Sequence, residues 1–335
     1  MKAAVIHNGK LVVSKIQKPK LTEKGAIVKV LGCGLCGSDI VKLKTGTAHN
    51  GDVLGHEVVG EIIEIDSESS FQAGDRVVLG HHVPCFDCIY CWGGNYSMCK
   101  KFKKTNIYPG GFSEYIYVSE THLQNTVFVP SGQLSNEEAS FLEPLACCIR
   151  AVKRSELPYS SRVLVIGLGS IGLLMGQAAK ALGYTAFGCD LLEERVNLSK
   201  QLGFEESFVY TTKEETVSKI KEQISKIGVD AVFMTSGSDK TLDFALEAIR
   251  DGGTLTVFSS IKSDRGYKNN DIYYRELKIL GSYSPSPMDL EDSLEFLQSR
   301  KVIVENLSTH YPLEKINEAI EDTITNKTLK AYINL

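Results

Sequence analysis

The sequence has no apolar run long enough to span a membrane, no block of basic residues, no internal repeat and no low-complexity tract. Each absence excludes something. A helical span needs about 20 consecutive apolar residues, so a transmembrane reading is set aside and no membrane partner is expected. With 37 Lys+Arg against 41 Asp+Glu the formal net charge is only −4, so nucleic acid is not expected as a main partner either. The opening stretch MKAAVIHNGK is short and strand-like and lacks the long apolar core of a signal peptide, which leads to the expectation of a cytoplasmic protein. What is present fits a soluble globular chain: 335 residues, 43% hydrophobic and 23% charged, a length that calls for two domains. In a reducing compartment the nine cysteines point to metal binding before a disulfide framework.

Organisation changes along the chain. The first 145 residues or so read as mostly β, with glycine-punctuated β-branched runs at Ala26 to Cys33, Glu57 to Ile65 and Arg76 to Leu79. Near Pro158 the pattern switches. Arg162 to Ile166 is a continuous apolar run, as a strand buried on both faces would be. A glycine turn, a helical stretch from Ile171 to Leu182 and further apolar runs at Ala186 to Asp190, Asp230 to Thr235 and Thr254 to Ser259 follow. Alternation at this spacing predicts a doubly wound parallel sheet. After about Ser284 come two helical segments, Asp289 to Ser299 and Leu313 to Asp322, and a last strand, Lys330 to Leu335.

The glycine turn is Gly167-Leu-Gly169-Ser170-Ile171-Gly172, a G-x-G-x-x-G between a strand and a helix. It is answered by Asp190 at the end of the next strand, which completes a dinucleotide-binding context. Gly167 makes the tight turn, Gly169 lets the backbone approach a pyrophosphate, and Gly172 lets helix and strand pack closely. The helix N-terminus, with Ser170 and Ile171, offers unpaired N–H groups to the phosphates. Asp190 would accept ribose hydroxyls and repel a 2′-phosphate, favouring NAD, while Arg195 nearby could reach such a phosphate.

Two constellations suit metal ions. Cys85, Cys88, Cys91 and Cys99 lie in PCFDCIYCWGGNYSMC, residues 84–99. Four thiolates complete a tetrahedral zinc and leave no place for water or substrate, so this zinc would be structural. The second set is dispersed: Cys36 in GCGLCGSD, His56 and Glu57 in LGHEVVG, and Glu143 in FLEPLACC. Taken singly, a Cys such as Cys36 or a His such as His56 is more often a packed side chain than a ligand. Glu143 sits in an apolar stretch where an unpaired carboxylate would be costly, which calls for a cation partner, either a metal or an arginine.

GCGLCGSD, LGHEVVGEI, the four-cysteine lobe, EPLA and GLGSIG together resemble the zinc-dependent medium-chain dehydrogenase/reductase superfamily over essentially the whole chain. Glu143, opening EPLA, makes the chain most similar to the polyol branch, that of sorbitol (L-iditol) dehydrogenase. The resemblance implies an α/β protein with a mostly-β GroES-like catalytic domain over residues 1–145 and again over 286–335. Between them, residues 146–285 would form a Rossmann NAD-binding domain. It also implies two zinc ions per chain, NAD, and a homodimer or homotetramer. Cys36, His56 and Glu57 match the catalytic zinc ligands, and Glu143 matches a glutamate that binds the metal or its water. Ser38 matches the hydroxyl that hydrogen-bonds the substrate alcohol. The family's relay histidine is replaced by Val41, so the proton must leave through Ser38 and water, a ribose hydroxyl or another group such as His49.

The expected reaction interconverts a secondary alcohol (a polyol, cyclitol or aminocyclitol) and its ketone. Zinc acidifies the hydroxyl, Ser38 passes on the proton, and the resulting zinc alkoxide gives hydride to the nicotinamide. Oxidation of L-threonine is the competing reading, and a nucleotide-binding protein without catalysis the remote one. Phe102 to Phe112 is expected to be a loop over the pocket or a solvated basic loop beside the cysteine lobe.

Overall fold

Arg162–Ile166, fully apolar after its arginine, lies inside a six-stranded parallel sheet in a computed structural model that describes residues 1–259 and 266–335. From edge to edge this sheet runs Glu206–Val209, Thr185–Asp190, Arg162–Ile166, Val229–Met234, Ile249–Val257 and Lys278–Gly281. Every pairing is parallel. The direction of winding reverses between Arg162–Ile166 and Val229–Met234, and ligands of doubly wound sheets bind at the carboxyl ends of strands beside such a reversal. The glycine turn leaves that end of Arg162–Ile166. Burial on both faces explains the unbroken apolar runs: Leu164, Ile166, Phe187, Val232 and Met234 share one core with Leu242, Phe244 and Ala245 of the helix Asp239–Ala248.

This sheet belongs to a compact unit of Cys147–Ser284 and Arg300–Ile303. The other unit comprises Met1–Ala146, Pro285–Ser299 and Val304–Leu335. The chain passes from one to the other inside the helix Leu142–Arg154, where a helical run hides the change from the sequence pattern. Gln177 draws Ile303 into the parallel-sheet unit with two hydrogen bonds, its amide donating to the Ile303 carbonyl and its oxygen accepting the Ile303 N–H.

The second sheet, mostly antiparallel, is ordered Ser308–Pro312, Lys330–Asn334, Gly25–Gly34, Glu57–Asp66, Arg76–Leu79, Val127–Phe128, with Tyr115–Ser119 also paired to Gly25–Gly34. Alternate residues explain its burial. Ala26, Val28, Val30, Val58 and Ile62 enter the main core, while Val59 and Val78 face Ala139, Leu142, Ala146 and Leu290 on the opposite side. A strand hairpin, Lys2–His7 and Lys10–Lys15, turns through Asn8 and Gly9, both with positive φ, as a two-residue turn requires.

The structure adjusts several expected elements. Ile249–Val257 starts five residues before Thr254, because Gly252 and Gly253 interrupt the apolar pattern within the strand. The helix expected from Leu313 begins as a single 3₁₀ turn, Leu313–Lys315, and continues as Ile316–Ile324. Short strands such as Lys10–Lys15, Glu206–Val209 and Lys278–Gly281 gave too little periodicity to be seen. Among the described residues no helix is long and apolar enough to cross a membrane.

Asp230 ties three neighbouring strands. Its Oδ2 accepts from Arg162 Nε at 3.0 Å and its Oδ1 from Arg250 Nε at 2.7 Å. Burial alone would raise this carboxyl, but the two arginines hold it down at about 2. A depressed acid contributes stability above its unfolded pKa of about 4, and that contribution disappears as pH falls toward 2. Asp230→Asn is therefore expected to lower the urea midpoint at neutral pH, and the difference from wild type should shrink between about pH 4 and 2. A pH-independent difference in urea titrations would contradict this role.

Candidate functional site

Cys36, His56 and Glu57 meet where a helix start stands beside the start of a strand. Cys36 is the N-cap of Gly37–Thr45; its sulfur accepts the Ser38 N–H at 3.5 Å, and the Asp39 carboxylate accepts the Cys36 N–H at 3.2 Å. This capping box fixes the thiol at the helix mouth. His56 and Glu57 enter at the start of Glu57–Asp66, and the ligand atoms of Cys36, His56 and Glu57 lie within 4.8 Å of one another. Asp39, fully buried, stands 3.4 Å from His56 Nδ1, which orients the ring and leaves Nε2 for a metal. Burial alone would lower the His56 pKa, but Asp39 and Cys36 raise it well above the usual value. A metal taking this imidazole would displace a proton.

Glu57 has a second partner that the sequence did not reveal. Lys330, buried on the C-terminal strand, donates to Glu57 Oε1 at 2.6 Å and also contacts Oε2. Burial alone would lower the lysine's pKa, but Glu57, with Cys36 and Glu143, keeps it raised and the side chain charged. Space for the carboxylate comes from Gly34, the cross-strand neighbour of Glu57: a Cβ there would fall 1.9 Å from Glu57 Oε2. The second glycine of GCG is thus a requirement of the site.

Glu143 lies in the first turn of Leu142–Arg154, 5% exposed. It does not join the compact trio. Its Oε1 is 3.9 Å from His81 Nδ1, a neighbour that the sequence did not announce. His81 also packs against His56 with ring centroids 4.6 Å apart, then against His82 at 4.1 Å, which in turn meets Phe102 at 4.9 Å. Burial and the neighbouring histidines push His81 well down and His82 to about 3, so both rings are neutral near pH 7. Nothing in the spacing of GHHVP announced this ladder.

In the cysteine lobe the four sulfurs also lie within 4.8 Å of one another. Cys85–Cys91 and Cys88–Cys91 separations are 3.9 and 3.5 Å, too long for disulfides and close to the roughly 3.8 Å edge of a tetrahedron around zinc. Burial pushes the Cys91 thiol up to about 12. Cys99, despite burial, is held at about 6 by N–H donors that include Cys85. Sulfurs this close cannot all be thiolates without a cation, so the donor set fits a closed zinc. The Cys36, His56, Glu57 set fits a site with a position left open.

Phe102 to Phe112 is pinned rather than free: Phe102 packs with the cysteines, while Ile107 and Phe112 enter the main core. Lys103 and Lys104 remain exposed. Ser38 is exposed at the helix start beside Cys36, and Val41 and His49 are exposed further along.

The glycine turn suits a phosphate. Gly167 has φ +92°, a Cβ on Gly172 would fall 1.8 Å from the Gly167 carbonyl, and one on Gly169 would meet only Arg195 Nη1 at 3.9 Å. Gly169 caps Ser170–Ala181 with no side-chain bond, so the N–H groups of Ser170 and Ile171 have no cap from it. Asp190, at the end of Thr185–Asp190, accepts N–H bonds from Leu168 at 2.5 Å and Leu192 at 2.9 Å. Each oxygen keeps a further lone pair for a ribose hydroxyl. Arg195 Nη1 lies 3.9 Å from Asp190. Thr235, not anticipated, donates to the Ile166 and Gly167 carbonyls and braces the turn.

Comparison with known proteins agrees with this anatomy. Residues 22–130 match the alcohol dehydrogenase GroES-like domain and residues 170–299 the zinc-binding dehydrogenase domain. The chain is 31% identical to sorbitol dehydrogenase of Bacillus subtilis (strain 168), over 99% of this chain and 97% of that protein. It is 31% identical to L-idonate 5-dehydrogenase of Vitis vinifera, over 95% and 90%. The crystal structure of galactitol-1-phosphate dehydrogenase from Escherichia coli superposes with a TM-score of 0.88 at 28% identity, covering 100% of both chains.

Two outcomes follow for the metal centres. Lys330→Met leaves Glu57 buried without its cation, at a cost of about 3–5 kcal/mol to the zinc-free protein. Melting curves with and without zinc should show a larger zinc stabilisation in the variant than in wild type; an equal one would deny the link. Cys91→Ser should lower bound zinc by about one ion per chain and lower stability first. A variant that kept its zinc and stability but lost hydride transfer would reverse the assignment of the lobe.

Proposed function

The chain belongs to the polyol dehydrogenase branch of the zinc-dependent medium-chain dehydrogenase/reductase superfamily, and from that premise we propose that it oxidises a secondary alcohol of a polyol or cyclitol to the ketone with NAD. The convergence of Cys36, His56 and Glu57 carries this reading: three donors of different kinds that leave room for a substrate oxygen. When bound, zinc supplies a Lewis acid that acidifies an alcohol hydroxyl, and the dinucleotide supplies the hydride acceptor.

The chain's own residues set up the rest. Cys36, His56 and Glu57 hold the metal, Asp39 fixes the imidazole tautomer, and Cys85, Cys88, Cys91 and Cys99 hold a second, structural zinc. Ser38 receives the hydroxyl proton at Oγ and passes it to water, since Val41 cannot. Glu143, with His81 beside it, offers a buried acceptor to a substrate hydroxyl. Gly169, Ser170 and Ile171 take the pyrophosphate, and Asp190 the adenosine ribose. The named relatives act on polyols, sugar acids and polyol phosphates, and a homo-oligomer in the cytoplasm completes the proposal.

A substrate panel tests it: free hexitols and pentitols, cyclitols, polyol phosphates and L-threonine, each with NAD and NADP, followed by the appearance of reduced nicotinamide. Turnover is expected with a free polyol or cyclitol and NAD. Turnover confined to L-threonine, or none at all in zinc-loaded protein, defeats the proposal. Asp190→Gly should raise the NADP-to-NAD ratio of kcat/KM by about tenfold or more, because it removes both the ribose acceptor and the repelling charge.

A further inference from the structure

Two exposed lysines stand near the histidine ladder, and neither metal nor dinucleotide binding accounts for them. Lys42 follows Ser38 by one turn on Gly37–Thr45, so the two side chains leave the same face of that helix. Lys103 comes from a separate segment, the turn Phe102–Lys104. That turn is fixed beside the ladder: Thr105 Oγ1 accepts the Val83 N–H at 3.0 Å, and the Phe102 ring centroid lies 4.9 Å from that of His82. Burial, and then the charges of His56, His122, Lys42 and Lys103, keep the His82 ring neutral, so both lysines act on this one imidazole. Its Nδ1 is buried without a hydrogen-bond partner among the described residues. An orphaned buried N–H is rarer than an under-satisfied acceptor, which places the ring proton on Nε2. Nε2 is not cut off in this way, and the ring is partly exposed.

We infer that Lys42, Lys103 and the His82 Nε2–H form a subsite for the terminal phosphate of a polyol phosphate, whose reacting carbinol stands at Cys36, His56 and Glu57. The inference deepens the polyol reading above and rests on it. A phosphate monoester carries nearly two negative charges and three acceptor oxygens, which two ammonium groups and one N–H donor suit. The acids nearby do not cancel this charge, since Asp39 is committed to His56 and Glu57 to Lys330. Asp87 is the single exposed acid in residues 84–104, against four exposed lysines, in a chain whose net charge is −4. The span also fits. His82 stands two ring steps from His56, of 4.6 and 4.1 Å, a reach that a pentitol or hexitol covers between an inner carbon and its terminal phosphate. L-Threonine is too short to touch both ends, and the lysines repel its ammonium group. A free polyol remains a weaker substrate, because the three donors hold its hydroxyl without the phosphate.

Zinc-loaded protein is assayed with NAD on matched pairs: a hexitol and its 6-phosphate, a pentitol and its 5-phosphate. One ester at least should exceed its parent in kcat/KM by about 30-fold or more, chiefly through KM. Lys42→Gln and Lys103→Gln should each cut that ratio by about tenfold, since each removes one charge-assisted contact. Raising the salt should reduce the ratio in wild type. Lys100→Gln, on the same basic stretch, should leave it as it is. Calorimetry without NAD gives a reading that does not depend on turnover: the ester should bind about tenfold or more tighter than its parent. Failure to oxidise either member of any pair therefore defeats the polyol reading, whereas equal Kd values for ester and parent defeat the subsite. An advantage that survives both lysine variants, that Lys100→Gln reduces equally, or that the carboxylate of an aldonate exceeds, also overturns it.

Discussion

Asp39 is fully buried and still divides its carboxylate among three groups: the Cys36 amide, the Gly55 amide and His56 Nδ1. Through the first bond it caps the helix that presents Cys36. Through the other two it fixes the approach to Glu57–Asp66 and the orientation of the imidazole. One carboxylate thus determines where both the thiol and the ring of the dispersed site stand. Its burial is tolerable because every partner is a donor, which is the condition under which a charge can be held away from water. The rest of the site is arranged around that anchor.

The two candidate metal centres differ in what closes them. The cysteine lobe supplies four sulfurs from one short segment, so its geometry is local and complete. The trio draws on separated segments and includes a glutamate already paired with Lys330. That pairing gives Glu57 a resting partner, so a metal gains this ligand only by competing with a buried cation. The ladder His56, His81, His82, Phe102 joins the two centres through ring contacts, and Phe102 packs among the lobe's cysteines. A collapsed lobe would therefore release the ring that supports His56 without touching a donor of the trio. A zinc held by the lobe would thus bear mechanically on the trio from outside it.

In the parallel-sheet unit the same economy of contacts appears. Gly172 presses the helix onto the Gly167 carbonyl, Thr235 ties that carbonyl to the next strand, and Asp190 accepts the amide of Leu168 within the turn. Three strands therefore shape the glycine turn, so its geometry is shared with the sheet rather than stored in a loop. Asp230 and its two arginines perform a comparable task at the opening ends of the same strands.

The elements and donors that depend on local spacing were readable from the chain: Arg162–Ile166, the glycine turn, the cysteine lobe, and Cys36, His56 and Glu57 as residue types. Apolar periodicity and ligand spacing are properties of neighbouring residues, and they leave marks in the sequence. Even Asp39 carried such a mark, since it stands three residues past its N-cap. Lys330, His81 and Thr235 carried none. Lys330 meets Glu57 across 273 residues, and only the pairing of the C-terminal strand with Gly25–Gly34 brings it there. Whether Glu143 joined the trio was equally invisible, because that depends on the path of a helix through a core. The sequence by itself determined which donors exist and where a turn suited to phosphate stands. Tertiary structure decided which charges meet, because pairing a buried charge is a matter of distance in space, and the chain order does not record that distance.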